Sequence, residues 1–515
     1  MHLVTTVEMS EIDKRAQEEY AVPGLLLMEQ AGVKGFHACI NRLPDLMLDT
    51  AHMVFIAGSG NNGGDALVMA REACITGVSH VAILKIKEVC NDIVTLQRRM
   101  CTEYGIDIVD AASKAAEQLI DQADIIFDGM IGTGLRGELS DGALKEFIIS
   151  INSLTRPAKI AVDLPSGLTD GVGKAAVFFH ADMTITFGWP KQIFFYPHIR
   201  SHCGEIITIN PGFPPDLLAR YGNDCILQSI DEVSFPTIDA SSYKNKKGHL
   251  SVFAGSSGFI GAAVLASEAA LRVRTGLVTL FCDRSLYPIV AAHATSVMVK
   301  PVERGYSISS EVLRSRYDAV LVGPGWGVTK ERALQLTEIL HSGIPVVIDA
   351  DAITLVRLML DNGSLTTQDL HNVIMTPHPG EFLMISELYD KENPEKCLES
   401  IRAASKNLGC IILYKSHINY ICSPEGNITV MEGMNPAMGT AGSGDVLSGI
   451  VGGLAAQDIP LMQAACMGNA LHQKTGLITK DDRGWFVAED LLSYIGIAIK
   501  ELEGNDLLDH QCSLY

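Results

Sequence analysis

Gly442-Ser443-Gly444-Asp445 carries the densest chemistry in this chain, inside a small-residue block that runs from Asn435 to Gly449. Glycines at those positions let successive backbone N–H groups turn into one concavity, at the positive end of a helix predicted over Val446–Leu454. Such a concavity takes an anion. Asp445, held beside it, can polarise or deprotonate a hydroxyl lying next to a phosphate. Alone, the run is equally a Gly-rich loop with a charge at a helix start. Its company gives it weight: Gly255-Ser-Ser-Gly-Phe-Ile-Gly-Ala262, Gly323-Pro-Gly-Trp-Gly327 and Thr376-Pro-His-Pro-Gly-Glu381 follow predicted strands, and Val347-Ile-Asp-Ala-Asp-Ala352 ends one with two carboxylates. Lys415-Ser-His-Ile-Asn419 follows a further strand, and puts a cation where phosphates could lie.

A second set of candidates occupies the N-terminal half. Gly58-Ser-Gly-Asn-Asn-Gly-Gly-Asp65 contains the spacing G-x-G-x-x-G between a strand and a helix, the context in which a pyrophosphate rests on a helix N-terminus. Two details depart from an ordinary dehydrogenase. Lys85 and Lys87 stand where an acidic ribose ligand is expected, with Glu88 as a weak substitute, and Asn61-Asn62 adds side-chain carbonyls that suit a monovalent cation or a ligand hydroxyl. Gly132-Thr-Gly-Leu-Arg-Gly137 follows a strand ending at Asp128 and offers Arg136 to a phosphate. Asp163-Leu-Pro-Ser-Gly167 and Lys191 each come just past a further strand. Any one of these is a turn or a surface charge; four such loops at successive strand ends point to one shared pocket.

The elements that must position these loops read as alternating β and α text. Ser10-x-x-Asp13 suggests a capping box for a helix bearing Ile12, Ala16 and Tyr20, and Leu25–Cys39 a second helix. Strands are predicted over 52–57, 81–86, 124–128, 159–162 and 183–187, with a helix over 66–76. A polar, Pro-containing stretch, Tyr221–Ser242, is expected to be a linker. After it strands are predicted over 249–254, 276–282, 319–322, 345–348, 373–375, 410–413 and 419–422, with a small-residue helix over 262–270. The expected fold class is α/β: a Rossmann-like parallel-sheet domain over 1–222 and a ribokinase-like α/β domain over 223–515.

Composition narrows the partners. The chain has 515 residues and a formal net charge of −20, which argues against nucleic acid or an anionic membrane. An acidic protein must bind phosphates through backbone loops and local Lys or Arg. Twelve cysteines without paired spacing suit reduced, buried thiols, and the acidic first twenty residues do not look like a signal peptide, so a cytoplasmic protein is expected. A homo-oligomer is the expected assembly.

The N-terminal set resembles the epimerase domain of the NAD(P)H-hydrate repair enzymes over about residues 1–220. Leu27-Met-Glu-Gln-Ala-Gly32, the Asn-Asn-Gly-Gly-Asp loop, Gly-Thr-Gly-Leu-Arg-Gly and Asp-x-Pro-Ser-Gly occur in that order. The C-terminal set resembles the dehydratase domain of the same enzymes, a branch of the ribokinase-like fold, over about 243–500. The resemblance implies that the first domain interconverts the 6R and 6S hydrates of NADH or NADPH, with Asp163 and Lys191 catalytic. The hydrate would be held by Asn61, Asn62, Gly63, Gly64, Asp65, Gly132, Thr133, Gly134, Leu135, Arg136, Gly137, Glu138 and Asp163, and potassium by Asn62, Asp128 and Ser166. It further implies that the second domain dehydrates the S epimer with ADP or ATP and Mg2+, Asp445 being catalytic. There the hydrate would meet Ala262, Gly327, His378 and Asp445, and the adenosine phosphate Lys415, Ser416, His417, Ile418, Asn419 and Gly444. Ala66 and Ser416 depart from the family's usual Gly at those positions. The alternative reading is a ribokinase-like kinase for a small alcohol with an accessory, non-catalytic nucleotide-binding domain.

Overall fold

The computed structural model describes residues 1–135, 137–171, 173, 176–303, 307–389 and 396–503. They divide into two units, one over Met1–Ile226 and one beginning at Leu227. The first unit holds β1 (His52–Ala57), β2 (His80–Lys85), β3 (Asp107–Asp110), β4 (Ile125–Gly129), β5 (Ala158–Val162), β6 (Met183–Phe187) and β7 (Glu205–Ile209). They form a seven-stranded sheet in the order β3-β2-β1-β4-β5-β6-β7, and every neighbouring pair is parallel. Near-continuous apolar runs such as Met53–Ala57 are what a parallel strand covered on both faces requires. One face packs Phe55 and Phe127, stacked at 4.3 Å, against Phe36, Leu67 and Ala70 of two helices. The other packs Val54, Ile56 and Ile126 against Leu144, Ile148 and Ile151. Strand order reverses between β1 and β4, so the loops after them part and open a crevice at the carboxyl end of the sheet.

The first helix, Thr6–Glu19, is capped by Thr5 and Glu8, whose carboxylate accepts from the Thr5 N–H at 2.7 Å. The capping box expected at Ser10 and Asp13 is therefore not formed. Ser10 Oγ donates to Thr6 O at 3.0 Å, one turn back, and Asp13, whose Oδ2 accepts from Gln17 Nε2 at 3.1 Å, lines the crevice. The helix starts earlier than the apolar periodicity suggests because its first turn is polar.

Past β8 (Cys225–Leu227), which lies where the units meet in sequence, the second unit holds nine further strands: β9 (His249–Phe253), β10 (Leu277–Asp283), β11 (Met298–Val302), β12 (Ala319–Val322), β13 (Val346–Ile348), β14 (Val373–Met375), β15 (Ile411–Tyr414), β16 (Ile418–Cys422) and β17 (Ile428–Glu432). Their order is β11-β10-β9-β12-β13-β14-β15-β16-β17, parallel as far as β15 and antiparallel from β15 to β17. Helix Ser443–Ala455 lies on helix Ile260–Arg272 so closely that a Cβ on Gly449 would come within 2.1 Å of the Ala266 carbonyl oxygen. Glycine is obligatory there, and this contact fixes where the first turn, Ser443–Asp445, stands over the sheet. The stretch expected as a linker is partly ordered, through β8 and a 3-10 turn at Ile230–Glu232.

Eleven cysteines among the described residues are free thiols, mostly buried. Burial pushes Cys39, Cys101, Cys397 and Cys410 up to about 12. No helix among the described residues is long and apolar enough to cross a membrane.

Candidate functional site

Each unit gathers its chemistry at the carboxyl ends of its strands. In the first, a cavity of about 620 Å³ is lined by Asn61, Asn62 and Asp65 after β1, Gly132–Leu135 after β4, and Asp163 after β5. Helix Asn61–Thr76 begins five residues before the expected Ala66, so Asn61–Asp65 open it; the N–H groups of Asn61, Asn62 and Gly63 have no acceptor within the helix, whereas Gly64 N–H donates to Gly60 O at 3.2 Å. Gly63 and Gly64 lie behind the wall: a Cβ on Gly63 would strike Gly58 at 2.3 Å, and one on Gly64 the Met28 side chain at 2.4 Å. Gly137 and Glu138 are exposed and outside the cavity wall, and Arg136 lies outside the described residues.

Asp163 has φ +62, a left-handed conformation uncommon for a residue with a side chain. Its N–H donates to Ile185 O at 2.6 Å, which pins the turn. Lys191, fully buried, donates to Asp163 Oδ1 at 2.5 Å, to Thr186 Oγ1 at 2.7 Å and to the Phe187 carbonyl at 3.2 Å. All three ammonium hydrogens are thus committed. Lys191 stands behind Asp163 and does not itself line the cavity.

Next to this pair, Asp128 accepts from Ser166 Oγ at 2.5 Å, Ser166 N–H at 2.7 Å and Met130 N–H at 3.1 Å. Burial outweighs those bonds and pushes the Asp128 carboxyl up to about 6. Asn62 is buried with both amide atoms unpartnered, and a Cβ on Gly132 would sit 3.0 Å from its Cβ. Asp128 and Ser166 are bonded to each other, while the orphaned Asn62 amide is placed only against Gly132; a carboxylate, a hydroxyl and an amide are donor types that suit a large monovalent cation better than a small divalent one.

The wall also contains residues that sequence patterns do not single out: Met9, Asp13 and Gln17 from helix Thr6–Glu19, and Pro211 and Phe213 from beyond β7. Lys87 lines it past β2, whereas Lys85 pairs with Glu88 and so neutralises the acid expected to reach a ribose.

In the second unit a cavity of about 620 Å³ is lined by His378, Lys415, Ser416, His417, Asn419, Asn435, Ser443, Gly444, His472 and Gln473. Lys415 donates to Asp349 Oδ1 at 2.7 Å, both groups being shielded from solvent. Its ammonium lies 3.5 Å from where a Gly444 Cβ would be, directly beside the helix start. Asp445, in that first turn, is pushed up to about 7, by burial first and then by the Asp349 charge, with Lys415 opposing. Glu381 is raised as well, by burial, against Lys415.

Ala350, at φ +48, turns the chain between Asp349 and Asp351, so the two carboxylates serve different partners. Asp351 accepts the Gly327 N–H at 2.7 Å, and a Cβ on Gly325 would come 3.3 Å from Ala262 Cβ. Ala262 and Gly327 therefore belong to a patch outside the cavity wall, and the Asp351 charge bound there adds to the upward push on Asp445. Ile418 is buried in β16 behind Asn419. His378 caps helix Pro379–Ile385, its Nδ1 accepting from Gly380 and Glu381 N–H, which gives the residue between two prolines a structural task as well as a place on the wall. Asn419 and Asn435 each leave a buried amide nitrogen unpartnered at this cavity, donors available to a ligand.

Residues 250–496 match a family model described as NAD(P)H-hydrate dehydratase, and residues 24–193 one described as YjeF-related protein N-terminus. Bifunctional NAD(P)H-hydrate repair enzymes match end to end: that of Moorella thermoacetica is 29% identical, over 98% of this chain and 97% of its own, and that of Coxiella burnetii 28%, over 96% and 98%. Among solved structures, a ribokinase-like superfamily protein from Enterococcus faecalis is 25% identical with a TM-score of 0.47, over 55% of this chain and 98% of its own. The ADP/ATP-dependent NAD(P)H-hydrate dehydratase of Bacillus subtilis, crystallised with ATP and Mg2+, is 22% identical with a TM-score of 0.45, over 53% and 97%.

Proposed function

Because the chain belongs to the bifunctional NAD(P)H-hydrate repair enzymes, we propose that its two cavities divide one repair between them. The first interconverts the 6R and 6S hydrates of NADH or NADPH. The second removes water from the S epimer at the expense of ADP or ATP and returns the reduced cofactor. The observation that carries this reading is the arrangement in the second unit: Asp445, able to exchange a proton near neutral pH, stands in the same helix turn as the Gly444 N–H and beside Lys415.

A hydroxyl directed at Asp445 would lose its proton to that carboxylate as a phosphoryl group arrives on the oxygen. The Gly444 N–H and the Lys415 ammonium stabilise the charge on the transferring group, the Ser443 N–H being taken up by the Thr440 carbonyl at 3.3 Å. Phosphate then leaves with the electrons of the carbon–oxygen bond, pushed by the ring-nitrogen lone pair, and loss of a ring proton restores the dihydropyridine. Magnesium would arrive on the nucleotide, since Asp349 is taken up by Lys415 and Asp351 by Gly327, and no cluster of three acidic or His/Cys ligands occurs among the described residues.

In the first unit Asn62, Asp128 and Ser166 would hold potassium, which would balance the buried Asp128 charge and tie the loops after β1, β4 and β5 together. Asp163, fixed by Lys191, faces the reacting ring. The hydroxyl can leave and return there because the ring nitrogen stabilises the cation as an iminium.

The test is incubation of the purified full chain with mixed hydrate epimers, with and without ADP or ATP, following dihydronicotinamide absorbance. Complete recovery of both epimers only when the nucleotide is present is the expected result. A stable phosphorylated product in place of NAD(P)H would favour the small-alcohol kinase instead.

A further inference from the structure

Asp65 is 8% exposed, lines the first unit's cavity, and its carboxylate accepts no hydrogen bond from any described residue. Asp13, from helix Thr6–Glu19, and Asp163, from the turn after β5, line the same cavity, and Lys191, from past β6, stands behind Asp163; the charges of all three act on Asp65. Lys87, past β2, lines the same cavity. The Lys191 ammonium is already committed to Asp163, Thr186 and Phe187, so what it leaves uncompensated around Asp65 is negative. A buried carboxyl without donors, beside two other carboxylates, keeps its proton. Burial first, then Asp163 and Asp13, raise Asp65 well above the usual carboxylate range, and burial and Asp163 raise Asp13.

Loss of a hydroxyl as water requires a proton donor. Asp163 is poorly placed for that task, because it accepts from Lys191 at 2.5 Å and from the Phe187 N–H at 3.3 Å. We propose that Asp65 is the general acid of the epimerase cavity and that Asp13, on a helix preceding the segment matched by the family model, is the positioning residue that holds the proton on it. The C6–O bond breaks with its electron pair on oxygen, the proton passes from Asp65 to that oxygen, and water departs. The ring-nitrogen lone pair becomes the C=N bond of the iminium, whose charge Asp163 balances. Water adding to the opposite face forms the new C–O bond and returns a proton to Asp65, the nitrogen lone pair being restored. Nothing else is consumed.

The proposal rests on the epimerase reading of this cavity. The experiment follows one purified epimer of hydrated NADPH by chromatography, with the full chain and no ADP or ATP, from pH 5 to 9. Wild type is expected to show a rate that falls at high pH as the acid is lost, and absence of any epimerisation in wild type would overturn the epimerase reading and this proposal together. Given wild-type activity, Asp65→Asn should lose about 100-fold or more over background while still binding the hydrate, and Asp65→Glu should regain part of it. Asp13→Asn should keep most of the plateau rate and move the high-pH limb to lower pH, because one negative neighbour is gone. That limb decides the matter if Asp65→Asn fails to fold. Asp65→Asn within about threefold of wild type, or an Asp13→Asn limb at the wild-type pH, overturns the assignment.

Discussion

Both units pair a lysine with a carboxylate at the carboxyl end of a parallel sheet, but the first buries its lysine behind the acid and the second sets it on the cavity wall. In the first, Lys191 donates to Asp163, the carboxylate on the cavity wall. In the second, Lys415 donates to Asp349, and the neighbouring Asp445 is left with a proton affinity pushed up to about 7. Where the lysine's hydrogens go decides which acid is held in an ion pair. The first arrangement fixes a negative charge against a developing cation; the second leaves a base that can take a proton at neutral pH.

The sharpest way to break this comparison is to remove each group in turn. Asp445→Asn should lower nucleotide-dependent dehydration by about a thousandfold or more, with epimerisation unchanged. The same variant should be at least as stable as wild type at pH 8. A buried carboxylate whose folded pKa is raised contributes least once pH exceeds that value, so a neutral amide removes a penalty. Near wild-type dehydration in Asp445→Asn would end the assignment.

Lys191→Met should cut epimerisation about a hundredfold and lower Tm, because it leaves Asp163 facing the cavity without its counter-charge. Thermal unfolding monitored beside the epimer assay separates the two effects, and a variant with intact epimerisation would show the pair to be structural only.

Dehydration should rise with pH through about 7 as Asp445 ionises. Lys415→Met should move that rise to higher pH, since Lys415 is what opposes protonation there, with a loss of about severalfold at pH 7. A rise centred near pH 4 in both proteins would mean that Asp445 is not the base.

Smaller effects test whether the sites are independent. Potassium should raise the Tm of the first unit by about a few degrees over a bulky cation at equal ionic strength, and Asp128→Ala should erase the difference. A potassium response that survives in Asp128→Ala removes Asp128 from the site. Fragments 1–222 and 223–515 should each keep their own activity to within about a fewfold, because neither cavity draws a wall residue from across that boundary. The second fragment should consume one epimer only; equal use of both would deny the division of labour.

The parallel core was legible in the sequence because fully buried strands such as Ile125–Gly129 and Ala319–Val322 are apolar from end to end. Edge strands were not: Asp107–Asp110 is half exposed and begins and ends in aspartate, and Met298–Val302 contains Lys300 and Pro301. The glycine loops announced both sites, yet their low helix propensity hid that Asn61–Asp65 and Ser443–Asp445 are themselves helical first turns. Asp13 escaped because its spacing from Ser10 imitates a cap, and only the three-dimensional path of helix Thr6–Glu19 shows which way it faces. Asp349 and Asp351 read as equivalent in sequence, and the left-handed turn at Ala350 separates their duties.

The buried thiols have a consequence for durability. Reaction with electrophiles or peroxide proceeds through the thiolate, and a thiol held near 12 by burial, as at Cys39 or Cys410, is ionised in only about one molecule in a hundred thousand at pH 7. Those thiols offer such reagents very little to attack, so oxidation should begin elsewhere, at exposed sulfur such as that of Met47 or Met434 and at the partly exposed Cys90.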